Sequence, residues 1–243
     1  MPLPHAPHSS VLLSILLAAL FLVFSASPSR ADLHKHPVVL PANVDASKCL
    51  ACHQDKAAGT YVHTAVTMGC TVCHAVASVK GATYITLTAP SNQLCFTCHK
   101  LSTDPVQHSP YKEGNCDFCH SPHASNFPAH LRASPQEVCM ACHVRGLMKV
   151  DRKAHTLTLP WGTKIPFKEM DSWLYLNLDK THKFNHPVGG HPVSGLNGAL
   201  GKDAPRLTCL SCHEPHHSTV ASLILPKYQN PTSLCLSCHV FPG

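Results

Sequence analysis

The sequence predicts a mostly irregular fold with short α-helices at seven repeated motifs and one small β element. All 14 cysteines fall within seven Cys-x-x-Cys-His units. Only 6% of the residues are aromatic, which is too few for an ordinary apolar core in a chain of 243 residues. The stretches between the units are dense in Pro, Gly, Ser and His, a composition typical of loops. Bound groups, rather than apolar side chains, are therefore expected to organise the fold.

The seven units are numbered 1 to 7 in chain order. They are Cys49, Cys52 and His53; Cys70, Cys73 and His74; Cys95, Cys98 and His99; Cys116, Cys119 and His120; Cys139, Cys142 and His143; Cys209, Cys212 and His213; and Cys235, Cys238 and His239. Spacings of three and four residues place both thiols and the imidazole on one face of a short helical turn. In such a unit the thiols bond to the haem vinyl groups, and the histidine is the proximal iron ligand. The sequence thus predicts a cofactor-organised multihaem cytochrome c with seven covalently bound haem c groups.

Two other uses of paired cysteines fit the units less well. Fourteen exported cysteines would suffice for seven disulfides, and Cys-x-x-Cys pairs about 15 to 20 residues apart suit tetrahedral zinc. Neither use requires a histidine directly after every second cysteine, whereas all seven units have one.

Histidines outside the units are the candidate distal iron ligands. Twelve remain after the seven unit histidines and the two in the N-terminal segment are set aside. Methionine is a poor alternative, because the remaining methionines are only Met68, Met140, Met148 and Met170. Bis-histidine ligation is expected to dominate, and it favours lower potentials than ligation by histidine and methionine.

Four of these histidines stand out by their position relative to a unit. His63 lies seven residues before unit 2, and His108 lies eight residues before unit 4. His123 and His216 each follow a proximal histidine in the frame Cys-His-x-Pro-His. These four are the first candidates for distal ligands.

Four further candidates rest on weaker patterns. His36, His186 and His191 each precede a proline, which keeps the histidine backbone extended. His155 is nominated because the fifth unit needs a nearby ligand. The alternative role for any one of these histidines is that of a loop residue or of a contact to a haem propionate.

The N-terminal segment, residues 1–31, is predicted to be a cleaved secretory signal. Val11 to Phe24 form an apolar run of 14 residues that is followed by small residues, with cleavage expected after Ala31. The run is short for a membrane span, and a retained anchor is the competing interpretation. Export suits covalent haem attachment, so a periplasmic location is expected, with outer-membrane association or an extracellular location as variants.

The spacing of the units divides the rest of the chain. Residues 32–143 hold five units and form a five-haem N-terminal region, residues 144–208 are an insertion or linker, and residues 209–243 form a two-haem C-terminal region. Any regular structure in the insertion is expected to be a β-hairpin.

Short alternating stretches predict the β structure. Thr83 to Thr88 alternates like a short strand, and so does His155 to Leu159. Trp173 to Leu178 is the expected hairpin partner of the second stretch, with Trp161-Gly162-Thr163 as turn material.

The net charge of +6 does not indicate a nucleic-acid partner. Each haem brings two propionates against about one positive charge on a ferric iron, so seven haems outweigh the excess of basic side chains. The loaded protein is therefore expected to be near neutral or acidic, and any membrane association to be peripheral or through a partner.

Two segments resemble the doubled CxxCH family of multihaem c-type cytochromes. They run from His108 to His143 and from His191 to His239, and both contain the frame Cys-His-x-Pro-His followed by a second unit. Cys70 to His99 resembles a third pair in which Ala75-Val76-Ala77 replaces x-Pro-His, and unit 1 resembles an unpaired unit. The family occurs in metal-reducing bacteria, and the resemblance implies a periplasmic or outer-membrane electron carrier.

The sequence favours an electron carrier for anaerobic or extracellular respiration, with no catalytic residues of its own. The expected partners are redox proteins, namely a quinol dehydrogenase, other cytochromes and a porin-like outer-membrane protein. A multihaem reductase of a small oxyanion is one alternative, although such enzymes need an open axial position and often replace a proximal histidine with lysine. A structural subunit of an outer-membrane conduit or filament is the other.

Overall fold

The computed structural model describes residues 34–41, 43–143, 147–166 and 207–240. The chain divides into two compact units, one made of Met1–Ala42 with Val76–Thr86 and the other of Asn43–Ala75 with Leu87–Gly243. The predicted signal segment, the predicted strand Trp173 to Leu178 and the candidate ligands His186 and His191 lie outside the described residues. None of the described helices is long and apolar enough to cross a membrane.

The helices are short, and every Cys-x-x-Cys-His unit begins on a helix or a 3-10 turn. The α-helices are α1 Thr64–Met68, α2 Ser91–Leu94, α3 Ser109–Lys112, α4 Pro135–His143 and α5 Pro231–Leu236. The 3-10 turns are Ala46–Ala51, Gln54–Ala57, Cys70–Val72, Cys95–Thr97, Cys116–Phe118, Pro128–His130, Cys209–Ser211 and Ala221–Leu223. The predicted fold class, irregular with short helical elements at the units, is confirmed.

One backbone hydrogen bond closes most of the units. In units 1, 3, 4, 6 and 7 the histidine N–H donates to the carbonyl of the first cysteine, with N···O distances of 2.9 to 3.0 Å. Unit 5 lies within the regular helix α4, which begins after a reciprocal cap between Ser134 and Glu137. Unit 2 differs, because a strand begins at its histidine, His74. These turns hold two thiols and an imidazole on one side of the backbone.

The strands form small antiparallel sheets. The strands are β1 His34–Lys35, β2 Tyr61–Val62, β3 His74–Val79, β4 Ala82–Leu87, β5 Val106–Gln107, β6 Ala124–Ser125, β7 Lys149–Asp151, β8 Thr156–Thr158, β9 Lys164–Pro166 and β10 His217–Ser218. The sheets have the orders β1-β4-β3, β2-β6, β5-β10 and β7-β8-β9. Strand β4 corresponds to the stretch predicted over Thr83 to Thr88.

The insertion contributes a three-stranded sheet to the described structure. Strand β8 lies within the stretch predicted over His155 to Leu159, and it pairs with β7 and β9. The turn between β8 and β9 contains Trp161 and Gly162, and Gly162 has a φ of 89°, which favours glycine.

A small apolar cluster joins this sheet to helix α4. Its buried members are Ala141, Met148, Leu157, Leu159 and Ile165, with Phe118, Cys142 and Trp161 packed against it. Only eight apolar side chains are buried among the described residues. Protein side chains alone therefore supply little core, as the composition predicts.

Candidate functional site

Four pairs of histidine rings lie opposite each other with similarly oriented planes, and each pair joins a unit histidine to one of the candidate distal ligands. The ring centroids are 6.1 Å apart in three pairs and 5.8 Å apart in the fourth, with interplanar angles between 10° and 30°. The pairs are His74 with His123, His99 with His63, His143 with His108, and His120 with His216.

The spacing of these rings fits one metal ion between them. Two imidazole nitrogens that each lie about 2 Å from a common metal ion place their ring centroids about 6 Å apart. Rings in direct van der Waals contact would be closer than this. The fourteen thiols are all free, so each unit also retains the two groups that attach a haem. The residues present therefore fit a haem c whose iron has two axial histidines.

Unit 1 departs from the enclosed position that a haem-attaching role would suggest. The Cys52 thiol and the His53 ring are exposed, whereas Cys49 of the same unit is partly buried. The reason is local, because the unit lies on two consecutive 3-10 turns, Ala46–Ala51 and Gln54–Ala57, that bury none of their residues. The His53 N–H still donates to the Cys49 carbonyl at 2.9 Å, so the turn that presents these groups is formed. Cys52 and His53 remain predicted haem-attaching residues, which a bound macrocycle, rather than protein, would cover.

Units 3 and 7 are open in the same way. In each of them the second cysteine and the histidine are exposed, namely Cys98, His99, Cys238 and His239. His99 nevertheless faces the His63 ring. An exposed unit histidine can therefore still have an imidazole opposite it.

Two short strand pairs place the candidate ligands beside each other. Pairing of β2 with β6 brings His63 next to His123, and the His63 N–H donates to the His123 carbonyl at 2.8 Å. Pairing of β5 with β10 does the same for the other two, with a bond of 2.9 Å from the His108 N–H to the His216 carbonyl. The histidine that precedes one pair of units is thus hydrogen-bonded to the last histidine of the frame Cys-His-x-Pro-His in the next pair.

The pairing of facing rings follows one pattern along the chain. The histidine before a pair faces the second unit of its own pair, as His63 faces His99. The His-x-Pro-His histidine faces the first unit of the preceding pair, as His123 faces His74. Because this histidine faces a unit of the preceding pair, its replacement by Ala77 leaves unit 2 with a facing imidazole.

Backbone carbonyls orient two of the unit histidines. The Nδ1 atom of His120 lies 2.7 Å from the Ala129 carbonyl, and that of His213 lies 2.9 Å from the Ser222 carbonyl. A carbonyl at this position fixes the ring orientation and raises the basicity of the other nitrogen. Ala129 and Ser222 have φ values of 53° and 60°. The left-handed backbone costs about 1 to 2 kcal/mol per residue in a non-glycine position.

The same local structure occurs twice, 93 residues apart. Arg132 N–H bonds to the Cys119 carbonyl, and Leu225 N–H bonds to the Cys212 carbonyl. In both copies a serine hydroxyl bonds across the loop, from Ser125 to Leu131 and from Ser218 to Ile224. The sequence already aligns these segments, but the repeated carbonyl contact becomes visible only in the structure.

Two further side chains flank the facing rings, although no motif singled either of them out. The Tyr111 ring lies 5.1 Å from the His216 ring, and its hydroxyl accepts the Ser102 N–H at 2.7 Å. His130 meets the His63 ring edge-on at 5.2 Å. Because Tyr111 and His130 follow no motif, the sequence contained no signal for them.

Burial favours the neutral form of several of the facing imidazoles. Burial is the largest cause of a lowered pKa in five of them, which are His63, His74, His108, His123 and His216. A neutral imidazole is the form that binds a metal. The Nδ1 atom of His63 is buried and has no hydrogen-bond partner within the described part of the chain.

Thiols of consecutive units are near enough to influence each other's ionisation. Neighbouring thiols are Cys49 with Cys70, Cys73 with Cys95 and Cys98, Cys95 with Cys116, Cys119 with Cys142, Cys139 with Cys209, and Cys212 with Cys235 and Cys238. A hydrogen bond with Cys116 and burial raise the pKa of the Cys95 thiol. Burial raises the pKa of Cys119 and of Cys142 to about 11. These interactions link neighbouring units in chain order, from 1 to 7.

The remaining candidates have other surroundings. His155 is exposed in the turn before β8, with a φ of 50°, and the ring opposite His143 is that of His108. His36 lies in the compact unit that contains β1, where its N–H donates to the Thr83 carbonyl at 2.8 Å.

Comparison with known proteins identifies relatives of this arrangement. A family model described as the doubled CXXCH motif matches residues 63–102, 108–147 and 202–241. The chain is also 31% identical over 202 residues to the multihaem cytochrome MtrA of Shewanella baltica (strain OS185). That alignment covers 74% of this chain and 59% of the relative, so the chain spans little more than half of the relative's length. No solved structure matches the chain.

Proposed function

We propose that this chain, which belongs to the doubled CXXCH family of multihaem cytochromes, carries electrons through seven covalently bound haems in a fixed order. The observation that supports this most is the series of neighbouring thiols, which joins consecutive units from 1 to 7. Thiols that are near each other would hold the attached macrocycles close together. Electron transfer between close macrocycles needs no substrate pocket.

The axial ligands follow from the facing rings. In this proposal the seven unit histidines are the proximal ligands, and each facing histidine is the distal ligand of its partner's haem. His123 then serves unit 2, His63 unit 3, His216 unit 4 and His108 unit 5. For units 1, 6 and 7 the sequence offers His36, His186 and His191.

The bound haem would supply the one-electron chemistry, and the protein controls its surroundings. The two facing histidines would hold the haem iron in both oxidation states, so the protein would rearrange little during electron transfer. The carbonyls of Ala129 and Ser222 fix the rings of His120 and His213 and strengthen them as ligands. The strand pairs lock the distal ligands of successive haems to each other through the backbone.

In this ligand scheme, neighbouring pairs of units depend on each other. The pair of units 2 and 3 and the pair of units 4 and 5 each depend on the following pair for the distal ligand of the first haem, since unit 2 depends on His123 and unit 4 on His216. Misplacement of one pair would therefore remove a ligand from its neighbour. Successive pairs are expected to assemble as one cooperative array.

The carrier role is favoured over a reductase of a small oxyanion. A reductase needs an axial position that its substrate can enter, whereas four units already have a facing imidazole and all seven end in histidine. We place the protein in the periplasm, on the apolar run Val11 to Phe24, with redox proteins as donor and acceptor. A conduit or filament subunit would share the same haem chemistry and differ only in assembly.

The test combines a haem count with voltammetry of the mature protein. Mass spectrometry should show seven haems, and a protein film on an electrode should give reversible one-electron waves. Added nitrite, hydroxylamine or tetrathionate should leave the waves unchanged. A catalytic current with any of them, or a lower haem count, would overturn the proposal.

A further inference from the structure

A polar cavity of about 270 Å³ lies beside the loop that links unit 4 to the distal ligand His123. Its polar lining includes Ser121, Asn126, Arg132 and Trp161, and Ala58 and Phe127 are among its apolar neighbours. Neither the family match nor the axial-ligand scheme assigns a role to this cavity.

Two side chains in the lining have an N–H group that could donate a hydrogen bond to a ligand. The Trp161 Nε1 atom is buried and has no hydrogen-bond partner among the described residues. An indole N–H only donates, and a buried donor without an acceptor is uncommon in native proteins. The Asn126 carbonyl oxygen already accepts from Thr60, so its amide nitrogen remains available as a donor.

Arg132 is the cation of this cavity. Its backbone N–H bonds to the Cys119 carbonyl at 2.9 Å, and its Nε bonds to the Asp117 carbonyl at 2.6 Å. These bonds fix the base of the guanidinium and leave its terminal N–H groups for another acceptor. Within the described part of the chain Arg132 forms no ion pair. A fixed guanidinium beside an indole N–H is suited to a carboxylate.

The position of the cavity indicates which carboxylate it takes. In haem c the propionates lie on the edge opposite the two thioether bonds, so a haem on unit 4 would project its propionates away from Cys119 and Arg132. The thiols of unit 2 neighbour those of units 1 and 3 and not Cys119. Arg132 is also close enough to His123, which faces His74, to act on it electrostatically. The propionate edge of a haem on unit 2 would therefore lie nearer the cavity than that of a haem on unit 4.

We propose that Arg132, Trp161 and Asn126 bind a carboxylate, and that this carboxylate is a propionate of the haem on unit 2. The proposal rests on the haem loading and the His74–His123 ligation proposed above. Arg132 then tunes that haem, because a nearby positive charge disfavours the ferric iron and raises its potential.

Four variants of the haem-loaded protein test this assignment by potentiometric titration and resonance Raman spectroscopy. Arg132→Gln should shift the midpoint potential of one haem in seven downward and change the Raman band of one propionate. Trp161→Phe, which keeps an aromatic ring and removes the N–H, should change the same band. Arg132→Lys should retain most of the potential. Arg152→Gln removes an equal charge from an exposed turn and should change neither property.

The possible outcomes distinguish a failure of the carboxylate site, a different source of the carboxylate and a failure of the proposed function. Fully loaded Arg132→Gln and Trp161→Phe proteins with unchanged potentials and bands would overturn the carboxylate site alone. Calorimetric binding of acetate to the wild-type protein, lost in Arg132→Gln, would show a free carboxylate in place of the propionate and overturn that assignment. Absence of haem from unit 2 of the wild-type protein would overturn this inference together with the proposed function.

Discussion

Removing the His216 imidazole should open the axial position of one haem and leave the other six unchanged. His216 faces His120 with ring centroids 5.8 Å apart, and it reaches that position through the pairing of β10 with β5. The bond that fixes its backbone runs from the His108 N–H to the His216 carbonyl, so a side-chain substitution keeps it. In His216→Ala about one-seventh of the ferric haem should therefore become high-spin, as measured by visible and electron paramagnetic resonance spectra.

The adjacent histidine provides the matched control. His217 Nδ1 lies 2.7 Å from an Asp104 carboxylate oxygen, and the His217 ring packs against Tyr111 with centroids 5.6 Å apart. His217→Ala should therefore keep every haem low-spin. His216→Met should restore six-coordination and raise the potential of that single haem, since axial ligands set potentials over a range of about 0.8 V. An entirely low-spin His216→Ala protein, or a high-spin haem in His217→Ala, would refute the ligand assignment.

Three further predictions follow from the burial and backbone of the site. Burial lowers the pKa of His74 and His123, so below about pH 6.5 the unfolded chain binds more protons than the folded one. The free energy of unfolding measured in urea should therefore fall as the pH drops from 7 to 5. A constant free energy would contradict this. Ala129→Pro should detach the carbonyl from His120 and lower the thermal midpoint, because proline cannot adopt a φ of 53°, whereas Ala129→Gly should keep or raise it. Leu157→Ala should cost about 2 to 5 kcal/mol in chemical denaturation, since Leu157 is 1% exposed, and a loss below 1 kcal/mol would mean that the cluster on α4 is not a core.

The sequence predicts the local features of the site well, because each is encoded by neighbouring residues. The helical turns at the units follow from spacings of three and four, and the structure has them. The strands near Thr83 to Thr88 and His155 to Leu159 follow from alternation, and the structure contains β4 and β8 there. The composition also predicts a sparse protein core, which the few buried apolar residues confirm.

Which histidine faces which unit could not be predicted from neighbouring residues. His63 lies just before unit 2 but faces the histidine of unit 3, and His123 follows unit 4 but faces that of unit 2. Two-residue strands that pair across about sixty positions decide this, and such short strands have no alternation to detect. His155 was nominated by proximity along the chain, whereas His108 reaches His143 through the fold.

The surroundings of each unit could not be predicted for a related reason. The motif of unit 1 is the same as that of the other units, yet Cys52 and His53 are exposed because little of the chain packs around their turns. A backbone carbonyl such as that of Ala129 is present at every residue, and only its left-handed φ aims it at His120. The cavity beside Arg132 likewise depends on the loop and the inserted sheet coming together. Neither residue type nor spacing indicates such a contact in advance.

The most direct test of the account is to locate the irons of the haem-loaded protein by anomalous X-ray scattering at the iron edge. The account predicts seven irons in chain order, with single irons midway between His74 and His123, His63 and His99, His120 and His216, and His108 and His143. Irons coordinated by other histidine pairs, or consecutive units whose irons are not neighbours, would contradict it.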